Sequence, residues 1–413
     1  LYAEAIDHAS AAGDEETLAR LIRLASEPAF RQGEIRQIAA WLKRLPQDVI
    51  IRDSELAVFW LLSLILSGQS QEAPTAIALL EPHLVHWQNP RQQARLQAIK
   101  AWVADITGSN ERIALAQEAA AALTEDDQLF RAFIALPLGH AYLYQGQPQV
   151  AIDVFRQGLA LLPQKGTTFV RISLLSNLIH TLNHAGRRRE AWAACQQAIT
   201  EFVDGDGEPL PPAGLPYLLS AWLHYDANRL DRARQDVMRG LTLLREAFQE
   251  TMLTPLEVEL VAWLHEVVGE MELAQATVTA GLARATTQQY QHGMVSLERL
   301  AAELRLRNGE WTAVRRWVEA QPIFAGRQPD GRWQIVEPLN DASYLIYTRL
   351  LLHDGRLEEA RNLLSLLAAS ARDGGRVRNL IVVLLLQAVA SAEPLPFMQE
   401  AVQRAAAEQY VRL

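Results

Sequence analysis

The stretch Gly186-Arg-Arg-Arg-Glu-Ala-Trp-Ala-Ala-Cys-Gln-Gln-Ala198 decides the fold. A glycine that tolerates left-handed backbone closes one helix, and the next helix starts within two or three residues. Five positions after the glycine comes a small apolar residue, Ala191; nine after comes Cys195, and twelve after comes Ala198. The same phrase recurs as Gly13 with Leu18, Gly68 with Ala73, Gly108 with Ile113, Gly146 with Ala151, Asn228 with Ala233, Gly269 with Ala274, Gly309 with Val314 and Gly355 with Ala360. From Gly68 to Gly309 the intervals lie between 38 and 42 residues. The position nine after each turn is an apolar column broken once, at Gln117, and the position twelve after is mostly small.

Each unit is therefore a helical hairpin, and one hairpin alone cannot bury its apolar face, so the units must stack. The expected fold is all-α: a TPR-like α-solenoid of about nine to ten hairpins forming a superhelix. Composition agrees, with 49% hydrophobic residues, 22 Gly and 18 Pro among 413, and almost no strand-like alternation. Residues 1–52 are expected to form a helical lead-in, because the interval from Gly13 to Gly68 is too long for one unit. Residues 53–413 then form the superhelical domain. The last unit is atypical: Asn379–Ala390 reads as a helix, and Ser391-Ala-Glu-Pro-Leu-Pro396 replaces the glycine turn. Two Pro/Gly-rich stretches, 204–216 and 322–338, read as connectors, the second carrying Trp333.

Chemistry is sparse. There is no phosphate-binding glycine loop, no zinc-protease helix, no Cys-x-x-Cys and no nucleophile elbow. No pair of carboxylates is marked out as acid and base, so the chain is expected not to be an enzyme. Asp204-Gly-Asp-Gly-Glu208 has the wrong spacing for a calcium loop and reads as a solvated turn. The formal charge of −9 argues against nucleic acid and anionic membrane as partners. Arg187-Arg-Arg189, the short basic run, follows a helix end and reads as solvated. No apolar run is long enough to span a bilayer. The single Cys195 sits in the apolar column, which makes it a core thiol and fits a reducing cytoplasm. A start without Met, directly inside a helical pattern, and an open finish at Val411-Arg-Leu413 point to a segment of a longer protein.

One column stands out, six residues before each turn: Asp7, Leu62, Trp102, His140, His180, Trp222, Trp263, Glu303, Arg349. The position before it (Ile6, Leu61, Ala101, Gly139, Ile179, Ala221, Ala262, Ala302, Thr348) is the close-packed seam, so the Trp/His column lies beside that seam. Residues three and four positions on complete the same helix face. The faces read Trp102, Asp105; His140, Tyr144; His180, Asn183, His184; Trp222, Tyr225, Asp226; Trp263, Glu266. First helices of stacked hairpins line one side of a solenoid, which places these residues along a ligand-binding groove. Aromatic plates interleaved with Asp, Asn, His and Tyr suit a polar ligand with apolar faces, such as a sugar. The plainer alternative is that the rings fill space between hairpins. His140, His180 and His184 also raise a metal site, but without a carboxylate or Cys at firm spacing none is assigned.

Ile38-Ala-Ala-Trp-Leu-Lys-Arg-Leu-Pro46, Ser54-Glu-Leu-Ala57 and Leu64-Ile-Leu-Ser-Gly-Gln69 resemble the start of the helical-repeat sensor domain of MalT-like, large ATP-binding LuxR-type transcription activators. So do Tyr347-Thr-Arg-Leu-Leu-Leu-His-Asp-Gly-Arg-Leu-Glu-Glu-Ala360 and Ala405-Ala-Ala-Glu-Gln-Tyr-Val-Arg-Leu413. The resemblance implies a central sensor that binds a small-molecule inducer and couples it to self-association and DNA binding. Those steps would be carried by nucleotide-binding and helix-turn-helix domains outside this chain. No cofactor is expected in this segment, and ATP would belong to the nucleotide-binding domain. The alternative is a TPR-type scaffold that grips a partner peptide or helix.

Overall fold

A computed structural model describes residues 2–66, 69–109, 111–163, 168–248, 255–287, 290–324 and 340–412. Among the described residues the secondary structure is helical apart from an isolated bridge, Val203 to Pro209. The helices are α1 (Tyr2–Ala12), α2 (Glu15–Gln32), α3 (Ile35–Leu42), α4 (Gln47–Arg52), α5 (Ser54–Leu66), α6 (Ala73–Leu80), α7 (Pro90–Thr107) and α8 (Arg112–Ala122). They continue as α9 (Gln128–Tyr144), α10 (Pro148–Ala160), α11 (Thr168–His184), α12 (Arg188–Glu201), α13 (Gly214–Asp226), α14 (Leu230–Phe248), α15 (Pro255–Val267) and α16 (Met271–Thr287). The last six are α17 (Gln291–Arg307), α18 (Trp311–Ala320), α19 (Asp341–His353), α20 (Leu357–Asp373), α21 (Val377–Ala390) and α22 (Leu395–Glu408).

The turn residues have the backbone their spacing predicts. Gly13, Gly108, Gly146, Gly186, Gly269, Gly309, Gly355 and Asn228 all have positive φ, between 57° and 85°. Gly68 and Trp333 lie outside the described residues. Two further turns escape the repeat phrase: Gly33 (φ 81°) between α2 and α3, and Gly375 (φ 64°) between α20 and α21. The helix expected over 379–390 is present and starts two residues earlier, at Val377.

The seam column is buried throughout, from Ile6 at 0% exposure to Thr348 at 0%. Small residues twelve after the turn allow close approach: a Cβ on Gly158 would sit 2.8 Å from the Ala135 Cβ, and one on Gly240 2.8 Å from the Gly214 carbonyl oxygen. Cys195 is fully buried and donates its thiol proton to the Pro216 carbonyl at 3.1 Å. Burial pushes that thiol far above its ordinary range, so it is inert, as its column position predicts.

The chain divides into two compact units. The first comprises residues 1–141, 154–174 and 288–290; the second comprises 142–153, 175–287 and 291–413. In the second unit α13 packs on α14 and α15, α15 on α16 and α17, α17 on α18 and α19, and α19 on α20 and α21. Each first helix thus touches its own partner and the next first helix, which is the stacking rule of a hairpin repeat.

One expectation needs correcting. Arg188 is not a solvated helix terminus: it is 7% exposed and donates to the backbone carbonyls of Leu223, Glu408 and Gln409. A residue 220 positions away in sequence claims its charge, which no local pattern could show. Its neighbour Arg187 does pair locally, with Glu190 at 2.6 Å. Asp204 accepts from the backbone N–H groups of Asp206 and Glu208, so the acidic loop is a self-bonded turn.

Candidate functional site

The residues of the proposed face fall in both units. Trp102, Asp105 and His140 belong to the first. There Trp102 stacks on Phe133 with centroids 4.7 Å apart, and the His140 ring nitrogen Nδ1 lies 2.6 Å from the Asp105 carboxylate.

Tyr144, His180, Asn183, His184, Trp222, Tyr225, Asp226, Trp263 and Glu266 belong to the second unit. Helix α11 carries His180 and His184 one turn apart, with ring centroids at 4.6 Å. Trp222 on α13 meets both, at 5.1 and 5.2 Å. One turn on, Tyr225 stacks on Trp263 of α15 at 5.2 Å and 22°. The rings are largely enclosed: Trp222 is 3% exposed, Tyr225 4% and Trp263 7%. Spacing predicted that these rings would adjoin, and within the second unit they do. Tyr144, on α9, is half-buried.

Electrostatics set the histidines apart. Burial, then the neighbouring His180 and the Arg378 and Arg299 cations, hold His184 well below its ordinary pKa, so the ring is neutral near pH 7. Asp226 is fully buried and accepts from Asn183 at 3.1 Å and from both Arg378 nitrogens Nε and Nη2 at 3.4 and 3.3 Å. Burial opposes the Arg378 charge, but Asp226 outweighs it and raises the pKa.

Beyond Trp263 the face turns ionic. Arg307 donates to Glu303 at 2.8 Å and to Glu266 at 3.3 Å, and Arg299 lies 3.7 Å from both Glu259 and Glu303. Burial pushes Glu259 up despite Arg299. For Glu303 burial also acts upward, yet Arg307 and Arg299 prevail and lower it. Glu259, Arg299 and Arg307 were missed by the sequence reading although a signal existed: each stands four residues from a member of the singled-out column, Trp263 or Glu303. Arg378, Tyr410 and Arg412 gave no signal, because they arrive from distant helices.

Trp222 Nε1 and Trp263 Nε1 are buried without a hydrogen-bond partner among the described residues. Elsewhere, in the first unit, Leu42, Leu45, Ile50, Trp60, Ser63 and Gln69 help line a cavity of about 210 Å³, apart from the face just described.

The stacked hairpins and their ring-bearing first helices define a TPR-like helical-repeat protein. The model of the MalT-like TPR region matches residues 94–413, more than half of the sequence, and the chain belongs to that family. No curated protein matches it by sequence. Among solved structures it is similar to a Rap protein complexed with Competence and Sporulation Factor, at 12% identity and a TM-score of 0.52, covering 94% of this chain and 99% of that one. It is also similar to the apo form of RapI, at 9% identity and a TM-score of 0.46, covering 95% and 100%. The Cut9–Hcn1 hetero-tetramer matches at 13% identity and a TM-score of 0.39, covering 95% and 74%. Among the described residues no helix is long and apolar enough to cross a membrane.

Proposed function

We propose that this chain is the effector-sensing region of a MalT-like, LuxR-type transcription regulator. It binds a small inducer on the face formed by His180, His184, Trp222, Tyr225 and Trp263, with Asn183, Asp226 and Glu266 beside them. Tyr144 of the same unit is a further proposed contact, and Trp102, Asp105 and His140 are proposed contacts within the first unit. Binding is coupled to self-association and promoter binding by domains outside this chain, in the cytoplasm, without catalysis and without a cofactor in this segment. Residues 1–52 form a helical lead-in to the superhelical sensor domain over 53–413.

The carrying observation is the pair of buried indoles, Trp222 and Trp263, whose N–H groups have no acceptor among the described residues. A buried donor left unpaired costs about 1–3 kcal/mol, which a ligand bringing acceptors would recover. Ring faces would meanwhile contact its apolar side. Inducer action further requires that the ligand prefer one conformation over another, since equal affinity shifts nothing. A second reading, a scaffold gripping a partner peptide, is favoured by the row of Glu259, Arg299, Glu303 and Arg307, which could pair with charged side chains.

Thermal-shift screening against sugars, amino acids, aromatic metabolites and peptides, with Trp222→Ala alongside, tests the proposal. A ligand should raise the melting temperature of the native chain and lose at least half of that shift in the variant. Equal stabilisation of both proteins would remove Trp222 from the site.

A further inference from the structure

The aromatic face is already occupied by the chain itself. From α21, Arg378 lays its guanidinium over the Trp222 ring, 5.4 Å from the centroid, while forking onto Asp226. From the segment after α22, Arg412 lays a second guanidinium over the Tyr225 ring at 5.5 Å. The same segment is pinned beside Asp226. The Val411 and Arg412 backbone N–H groups donate to the Asp226 carbonyl at 2.8 and 3.0 Å, and the Tyr410 hydroxyl donates to the Asn183 carbonyl at 2.5 Å. Two adjacent aromatic plates thus each carry a guanidinium, and the fully buried carboxylate of Asp226 neutralises one of them.

The fit is loose where it should be tight. An arginine fork on a carboxylate ordinarily closes to about 2.7–2.9 Å. Arg378 stays at 3.3 and 3.4 Å. Arg412 donates to a neutral acceptor, the Asn228 side-chain oxygen, at 3.2 and 3.3 Å. The buried Trp222 N–H has no acceptor among the described residues. Two plates, a carboxylate and a spare donor fit a molecule that carries a guanidinium together with an acceptor, as an arginine with its carboxylate or peptide carbonyl does.

We infer that Trp222, Tyr225 and Asp226 form a guanidinium-recognition site, held in this state by the chain's own Arg378 and Arg412, and that the external ligand is a guanidinium-bearing molecule that displaces them. This rests on the sensing role proposed above and names the chemistry of its ligand. Displacement frees residues 410–412 from Asn183 and Asp226, so occupancy of the face is coupled to release of that segment.

The probes are L-arginine, the blocked dipeptide acetyl-Arg-Arg-amide and L-citrulline, the uncharged isostere, titrated against the whole chain by tryptophan fluorescence. The two arginyl probes distinguish a free amino acid from a peptide as the source of the group. Arg378→Gln/Arg412→Gln, which clears both plates, should bind at least one arginyl probe ten-fold or more tighter than the native chain. Citrulline should not bind, and Asp226→Asn should lose the response. Should the double variant fold poorly, hydrogen exchange on the native chain decides: a saturating arginyl probe should speed exchange at the Val411 and Arg412 amides several-fold. Unchanged exchange, no gain in the folded double variant, or equal binding of citrulline would overturn the inference. A neutral ligand from the thermal screen that acts through Trp222 while both arginyl probes fail would leave the sensing role standing and remove the guanidinium. If nothing binds, both fall.

Discussion

Gly186 and Gly309 share a left-handed backbone, φ 74° and 77°, but not an environment. A Cβ on Gly309 would meet nothing within 4 Å, whereas one on Gly186 would lie 2.4 Å from the Val377 Cβ. Gly309→Ala should therefore cost about 1–2 kcal/mol from backbone conformation alone. Gly186→Ala should add about 1–3 kcal/mol of overpacking, and thermal melts should rank it clearly below Gly309→Ala. His184 supplies a pH signature. Its folded pKa lies below the ordinary 6.5, so the unfolded chain binds the extra proton first. The contribution of the neutral ring is complete above about pH 6.5 and is lost as pH falls from there toward the folded pKa. His184→Asn should flatten melting temperature against pH in that window relative to the native chain; an unchanged slope would show that the ring titrates normally. Both glycine turns were legible from spacing, and so was the neighbourhood of His180 and His184. The depth of His184 was not, because Arg378 approaches from a helix whose sequence position says nothing about its target.

Helix ends in the first unit are tied by buried charge. Arg95 on α7 donates to Asp127, at the start of α9, at 2.6 and 3.0 Å, and to Glu27 on α2 at 3.1 Å. Arg95 and Asp127 are 2% and 1% exposed, and the Arg95 guanidinium lies 4.4 Å from the centre of the Phe130 ring. For Asp127 burial acts upward, yet Arg95 and Arg91 lower the pKa. Arg95→Met leaves that carboxylate buried with Arg91 alone and should cost about 3–5 kcal/mol. Adding Asp127→Leu should restore much of the loss, since a buried pair replaced by apolar groups is often near neutral; a double variant no more stable than Arg95→Met would contradict this. Helices and their order were readable because the 3.6-residue period and the glycine stops are local. Arg95 and Asp127 were not singled out, since a pair 32 residues apart becomes special only once two helix ends meet.

At the scale of the molecule, stability in a hairpin array is a sum of nearest-neighbour terms, and two compact units are present. Calorimetric unfolding should therefore be broader than two-state, with a van't Hoff enthalpy below the calorimetric one. A ratio of one would indicate a single cooperative block. The sequence by itself determined the hairpin, its repeat, the buried seam and the identity of the rings that stand beside it, because these follow from backbone periodicity and from glycine's freedom at positive φ. Only the tertiary structure decided what those rings face. The return of Arg378, Tyr410 and Arg412 onto Trp222, Tyr225 and Asp226 depends on where helices far apart in sequence come to rest. Long-range packing sets that placement, and no local pattern in the chain encodes it.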